Sequence, residues 1–450
     1  MKSLVIGNGI KVVAPANLLL AKGVSVVVFE ISAGIYPYEI TSNLISTEDV
    51  EVFSGSLPVY VLADVGDVIL ADGMSPDETI VRQLRGRGHR IIGEFELAAS
   101  YDRGKLLAIT GTKGRTSATA LLGKIVKDAT RNAFVVEDSA SYLDAVCSTT
   151  KDSTTVAKVS AHHLETMAGF RPVVSSIINI KRNYPEDYAS YSDYAGVIER
   201  IIRNQTPIDH IVLNYEDDET RRFGIEIDDR ADAPIPFFFS TLRELRCGLF
   251  IRDNTIVLRD VDMERELMKT SDISMVGRHN LENAFTAIAM AYKYGISTDS
   301  IVRSCMGFGP VAHRVEYIAT KNGVKFFNDS KGTDVPTAIN GIEAMDCPTY
   351  LIGGGYDNGA DYGEWIESFR GKVRKLVLIG QTRERMASCA HNHGFYDYVY
   401  AEDLNEAVSI CTSYANPGEA VLLSPACEDR GTYKSFEERG NAFRAIVESL

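Results

Sequence analysis

An apolar run, Leu106-Leu107-Ala108-Ile109-Thr110, drops straight into Gly111-Thr112-Lys113-Gly114-Arg115-Thr116, and a helical pattern follows from Ser117 to about Lys127. No other feature constrains the chain so tightly. A strand, a Gly-rich turn and a helix in that order aim backbone N–H groups and the positive end of the helix dipole at one point, where a phosphate can sit. The Thr116 hydroxyl is placed to serve Mg²⁺ there. Such a unit belongs to a parallel sheet with crossover helices.

The rest of the chain reads the same way. Ser3 to Gly7 is a short apolar run, followed by Gly7-Asn8-Gly9, a helical pattern over Val13 to Lys22 and a strand from Val24 to Glu30. Val68 to Leu70, an amphipathic helix over Asp77 to Gly88, and Ile91 to Gly93 complete a first unit. Strands are expected at Thr155 to Val159, Val174 to Asn179 and His210 to Asn214, and Thr241 to Ile273 alternates as antiparallel structure does. A strong helix covers Asn280 to Tyr294. Beyond Gly307-Phe308-Gly309-Pro310 the pattern restarts, with strands at Val324 to Asn328, Thr349 to Ile352, Leu376 to Ile379 and Val421 to Leu423. The 450 residues exceed one compact core. Cuts near 97 and 309 divide the chain into α/β domains over 1–97, 98–309 and 310–450.

A net charge of −14 argues against nucleic acid as a partner, since phosphate backbones need a basic face. No run approaches the ~20 apolar residues that span a bilayer, and the chain begins without a leader-like segment, so a cytoplasmic location is expected. The seven cysteines are widely spaced with no CxxC pair, as in a protein with reduced thiols. His391-Asn392-His393 reads as an exposed polar turn, and Trp365, the sole tryptophan, as core. His162 and His163 read as strand neighbours facing opposite ways.

Several further motifs follow in order. Gly277-Arg278-His279-Asn280 is followed by Asn283-Ala284. His313-Arg314-Val315-Glu316 precedes Asn328-Asp329-Ser330-Lys331-Gly332-Thr333. Ser424-Pro425-Ala426-Cys427 precedes Phe436-Glu437-Glu438-Arg439-Gly440. With the Gly-rich loop, these resemble the Mur ligase family, in its MurD branch. The resemblance implies three domains: a Rossmann-like N-terminal one for a UDP-sugar, a P-loop ATPase-like central one, and a Rossmann-like C-terminal one for an amino acid. It also implies ATP-dependent phosphorylation of the carboxylate of UDP-N-acetylmuramoyl-L-alanine, then attack by D-glutamate on the acyl phosphate. By the same resemblance ATP falls on Gly111, Thr112, Lys113, Gly114, Arg115, Thr116, Asn283, Arg314 and Asp329, and the amino acid on Lys331, Thr333 and Phe436. Read alone, His279-Asn280 is equally a helix cap.

The departures cluster at the chemistry. Arg115 stands at the loop lysine and Lys113 at an asparagine. Lys158 replaces a Glu that helps hold Mg²⁺, Asn183-Tyr184 an Asp-His pair, and Ile198 the lysine that is carbamylated. Glu137-Asp138-Ser139-Ala140 replaces Gly-Asn-Ile-Gly, and Val12 a small residue. Asn358 falls where a Lys is usual and Asp429 near a Ser. An ammonium at a metal-ligand position should expel the metal. The expectation is therefore a Mur-type protein that binds ATP, with Mg²⁺ doubtful. It would serve as a nucleotide- or partner-binding paralogue, the partner being a UDP-sugar precursor or a cell-wall synthesis protein. Two alternatives stay open. One is a working ligase whose metal is held by Glu137, Asp138 or Glu165. The other is an amide ligase for a different amino acid.

Overall fold

The computed structural model describes residues 1–32, 35–182, 184, 188–261, 263–273, 278–308, 312–357, 359–428 and 432–450. Asn183, Asn358, Asp429, Gly277, Gly309 and Pro310 lie outside them. The chain forms two compact units, residues 1–272 with 282–307, and residues 273–281 with 308–450.

The first unit holds two sheets. Lys2–Gly7 (β1), Val26–Glu30 (β2), Val50–Ser54 (β3), Val65–Leu70 (β4) and Arg90–Gly93 (β5) form a parallel sheet in the order β3-β2-β1-β4-β5. β2 is buried along its whole length, as a parallel strand covered on both faces must be. The second sheet contains Lys105–Thr110 (β6), Ala133–Val136 (β7), Thr154–Lys158 (β8), Val174–Ile177 (β9), His210–Asn214 (β10), Ile235–Phe239 (β11), Gly248–Arg252 (β12), Thr255–Asp260 (β13) and Met263–Lys269 (β14). Its order is β14-β13-β12-β11-β10-β9-β6-β8-β7. Pairing is parallel from β7 to β12 and antiparallel through β13 and β14, the segment whose alternation signalled it.

The second unit carries Glu316–Lys321 (β15), Val324–Asn328 (β16), Thr349–Gly353 (β17), Val373–Leu378 (β18), Tyr398–Tyr400 (β19) and Ala420–Leu423 (β20), in the order β15-β16-β20-β17-β18-β19. Among the described strands of this sheet only the β15–β16 pair is antiparallel. Trp365 is 0 % exposed, edge-on to Tyr362 and Phe369, and serves the core. Among the described residues no helix is long and apolar enough to cross a membrane, and all seven cysteines are free thiols.

Two local expectations change. His162 and His163 sit on the short helix Ala161–Glu165, not on a strand, because Ser160 caps the His163 N–H at 3.1 Å and turns the chain after β8. Asn280 is inside the first turn of the helix Arg278–Lys293, not at its cap.

Candidate nucleotide site

The Gly-rich loop leaves β6, an interior strand of the second sheet third from its β7 edge, with β9 on one side and β8 on the other. Gly111 (φ 135°) and Gly114 (φ 88°) both need the left-handed half of backbone space. A Cβ on Gly111 would lie 2.9 Å from the Asn179 carbonyl oxygen. The loop is tied down by its neighbour strand: Thr112 N–H donates to the Asn179 carbonyl (3.0 Å) and Lys113 N–H to Asn179 Oδ1 (3.0 Å). The helix Arg115–Thr130 follows at once, so its first N–H groups, which have no partner inside the helix, point back over the loop. Asn283, 5 % exposed on the helix Arg278–Lys293, lies against Gly114: a Cβ there would be 2.1 Å from its Oδ1. The loop residues and Asn283 are thus brought together.

The charges around this cradle are cationic. Lys158 is the last residue of β8 and sits opposite Ile109 of β6. Its Nζ lies 2.9 Å from Glu137 Oε2, just beyond the end of β7. Arg115 Nη1 donates to the Val159 carbonyl at 3.0 Å, so the guanidinium is clipped to the chain one residue past Lys158. Burial lowers the Arg115 pKa, with nearby Tyr194 acting in the opposite direction; an arginine nevertheless remains protonated. Lys181 adds a third cation, its N–H donating to Thr112 Oγ1 (2.9 Å) and its ammonium pairing with buried Asp217 at 2.8 Å.

Tyrosines crowd the other side. Tyr194, on the helix Tyr191–Glu199, is 3 % exposed and its hydroxyl is 3.0 Å from Thr112 Oγ1. Tyr184 stacks on it at 5.4 Å and Tyr188 meets it edge-on at 5.2 Å. Ile198, one turn on, is fully buried in the core.

These residues do not fit a divalent cation. A unit charge and a dication 4 Å apart repel by about 8 kcal/mol at an effective dielectric of 20, and both Lys158 and Arg115 lie at the place in question. The acids that could compensate are committed elsewhere. Glu137 pairs with Lys158. Asp138 caps the helix Ser139–Ala145 through the Ser141 N–H at 2.8 Å, and that bond holds its carboxyl below the usual range. Glu165 faces His162 Nδ1 at 3.3 Å and the Tyr188 hydroxyl. Among the described residues no group of three His, Cys, Asp or Glu is gathered to hold a metal.

In the first sheet, Glu30 is fully buried and accepts the Gly9 N–H (3.2 Å), the Ser32 N–H (3.0 Å) and the Ser54 hydroxyl (3.0 Å). Burial alone would raise its pKa, but these bonds outweigh it and hold the carboxyl low. The first Gly-rich turn is therefore tied to the acid that ends β2.

Glu94, His163 and Ser139 line a small cavity in the same unit. Burial, joined by His162, Arg115 and Lys158, drives the His163 pKa down to about 3, and the ring stacks on Phe95 at 4.3 Å. Burial, only partly offset by the Asp72 N–H at 3.0 Å, pushes the Glu94 carboxyl up to about 7. The native state then holds a proton that the unfolded chain has released above about 4.5. Stability should fall as pH rises from about 4.5 to about 7, by roughly 3 kcal/mol at most from this group. Urea midpoints at about pH 5 and about pH 8 should show a smaller fall for Glu94→Gln than for the parent chain. Equal falls would remove Glu94 from the account.

In the second unit Lys331 Nζ stands 3.6 Å above the Phe436 ring centroid, and the Thr333 N–H donates to the Lys331 carbonyl at 2.8 Å. Lys331, Thr333 and Phe436 therefore form one patch. Asp329 is placed differently: 3 % exposed, it accepts the Ser424 hydroxyl (2.7 Å) and the Val315 N–H (3.2 Å), and burial raises its pKa to about 7. Val315 has φ 44° and His313 φ 63°, a costly conformation for such side chains. Asp329 thus anchors the strained turn that carries Arg314.

Comparison with known proteins gives the family. The Mur ligase middle domain matches residues 109–291, and the Mur ligase glutamate ligase domain matches 313–427. The chain belongs to the Mur ligase family. It is 39% identical to a UDP-N-acetylmuramoylalanine–D-glutamate ligase of Lachnoclostridium phytofermentans, over 100% of this chain and 98% of the relative. A ligase of the same name from Lachnospira eligens is 37% identical over 99% and 98%. Among solved structures, MurF from Acinetobacter baumannii superposes with a TM-score of 0.59 at 14% identity, covering 99% of this chain and 93% of that one. A pseudomurein peptide ligase type C from Methanothermus fervidus gives 0.57 at 16%, covering 100% of both. These two show the fold: this Mur ligase has the family's three-domain α/β architecture.

Lys181, Tyr194 and the Glu137–Lys158 pair were not legible as parts of this Mur ligase site. Asn179 is the one signal that reached toward them, since its side chain and carbonyl both serve the loop.

Proposed function

We propose that this Mur ligase is a MurD-type protein of peptidoglycan precursor synthesis that binds ATP at Gly111–Thr116 but no longer runs the metal-assisted ligation efficiently. In this reading residues 1–97 take the UDP-sugar precursor, 98–309 the nucleotide and 310–450 the amino acid. The names of its full-length relatives support the pathway and the substrate class. The observation that carries the rest is Lys158, paired with Glu137 beside the phosphate loop.

The roles of the chain's own residues follow. Loop N–H groups and the start of the helix Arg115–Thr130 receive phosphate oxygens. Asn283 packs on the loop and orients what lies over it. Lys331, Thr333 and Phe436 offer a cation–aromatic wall for an amino-acid carboxylate. Among the described residues none near the loop is disposed to activate an attacking amine: His163 is half-buried and held neutral, and Tyr194 is bound to Thr112.

Phosphate release with UDP-N-acetylmuramoyl-L-alanine, D-glutamate and Mg-ATP tests the proposal. Turnover should lie at least ~1,000-fold below that of the Lachnoclostridium phytofermentans ligase assayed beside it, because charge stabilisation by a metal is worth several kcal/mol. A second reading, an ordinary D-glutamate ligase, is favoured by the 39% identity along the whole chain. Turnover comparable to that relative would establish it and end the first. An acceptor screen over other amino acids completes the assay.

A further inference from the structure

We infer that the phosphate loop takes a nucleoside triphosphate without a divalent ion, Lys158 and Arg115 supplying the positive charge at the end of β8. The inference rests on the reading that the loop binds nucleotide, and deepens it by naming the ionic form of the ligand.

The register of the sheet carries it. β6 and β8 run parallel with Ile109 opposite Lys158, so the Lys158 side chain leaves β8 at the level where β6 becomes the loop. Arg115 opens the next helix and reaches back to the Val159 carbonyl at 3.0 Å. Two fixed cations thus stand at the carboxyl end of one strand, matching the two charges of a magnesium ion. His163 adds none, since it is neutral in that surrounding.

Glu137 is the resident counter-ion. The Val136–Ala157 register sets it beside Lys158, and the pair is open to solvent, with side-chain exposures of 46 % for Glu137 and 24 % for Lys158. A phosphate oxygen can therefore exchange with the Glu137 carboxylate as partner of the ammonium. The free tetra-anion of ATP is favoured over its magnesium complex, whose ion would face Lys158 and Arg115.

Titration calorimetry of the full chain with ATP, in EDTA and in excess MgCl2, tests this. ATP should bind in EDTA, and Mg²⁺ should weaken binding by about 10-fold. Glu137→Gln should tighten binding in EDTA by about 5-fold, and Lys158→Gln should weaken it by about 10-fold. Lys158→Glu should abolish binding in EDTA and restore it when Mg²⁺ is added. Binding of the parent chain only with Mg²⁺ overturns the inference and leaves the nucleotide reading standing. Binding under neither condition overturns both. Binding in EDTA that ignores all three substitutions removes Lys158 from the site and overturns the assignment.

Discussion

Arg439→Leu is expected to lower the stability of the second unit by about 3–5 kcal/mol, read as a drop in its denaturant midpoint. Arg439 is 1 % exposed, on the helix Phe436–Ser449. Its Nε donates to Ser330 Oγ at 2.9 Å, Nη2 to the Ser330 carbonyl at 2.8 Å and Nη1 to the Cys427 carbonyl at 3.3 Å. Those acceptors belong to the loops that follow β16 and β20, neighbours in the third sheet. Leucine restores much of the volume but none of the donors, and each buried acceptor left unpaired costs about 1–3 kcal/mol. The consequence is also local. Ser330 precedes Lys331 and Thr333, so their loop should loosen and the ammonium should leave the Phe436 ring. Arg439→Lys keeps a charge but loses the fork, and an intermediate loss is expected. A midpoint within about 1 kcal/mol of the parent for Arg439→Leu would mean that the guanidinium does not hold these loops.

Arg439 also shows where the reading of a sequence stops. The Phe436–Gly440 motif was plain, and so was Asn328–Thr333, but nothing in either string says that an arginine in one bonds a serine in the other. The same holds for Asp329. Its resemblance places it on the nucleotide, and nothing in the string says that its carboxyl also accepts from Ser424 and Val315. A motif marks a position that is constrained without naming the constraint. Glu137 and Lys158 are twenty-one residues apart and meet only because β7 and β8 pair. A charge inversion at Lys158 was visible in the string, while its compensation was not.

Strands buried on both faces were legible, and so was exposed β14, through its alternation. β2, β10 and β20 are largely apolar runs packed on both faces, and each was found, as was β9, equally buried although Ser175 and Ser176 fill its centre. β3, β7, β15 and β19 were missed, and all four are sheet edges or outermost strands with mixed exposure. An edge strand packs fewer neighbours, so its sequence needs less apolar regularity. β11 was missed for another reason: Pro236 interrupts Ile235–Phe239, and proline is unusual inside a central strand. Tyr194 belongs to no motif in the string. Its ring packs as core, while the hydroxyl serves the loop.

Gly114→Val should abolish ATP binding and lower the stability of the first unit by about 2–4 kcal/mol. Two independent physical costs combine. At φ 88° and ψ −12° Gly114 is left-handed, a conformation a β-branched side chain strongly disfavours. The new Cβ would also lie 2.1 Å from Asn283 Oδ1 and 3.0 Å from its Cγ. Asn283 is short, nearly buried and fixed on a helix, so it has little room to swing away. Relief must come from the loop, and moving the loop misaligns the N–H groups that would meet phosphate. Gly86→Ala is the matched control, since Gly86 ends the helix Thr79–Gly86 and a Cβ there meets nothing within 4 Å. It should leave both binding and melting within about 0.5 kcal/mol of the parent. Calorimetry with ATP beside thermal melts separates the two costs. If Gly114→Val melts early yet binds ATP with the parent's affinity, the nucleotide does not sit on this loop, because strain alone would have to spare the one backbone segment it acts on.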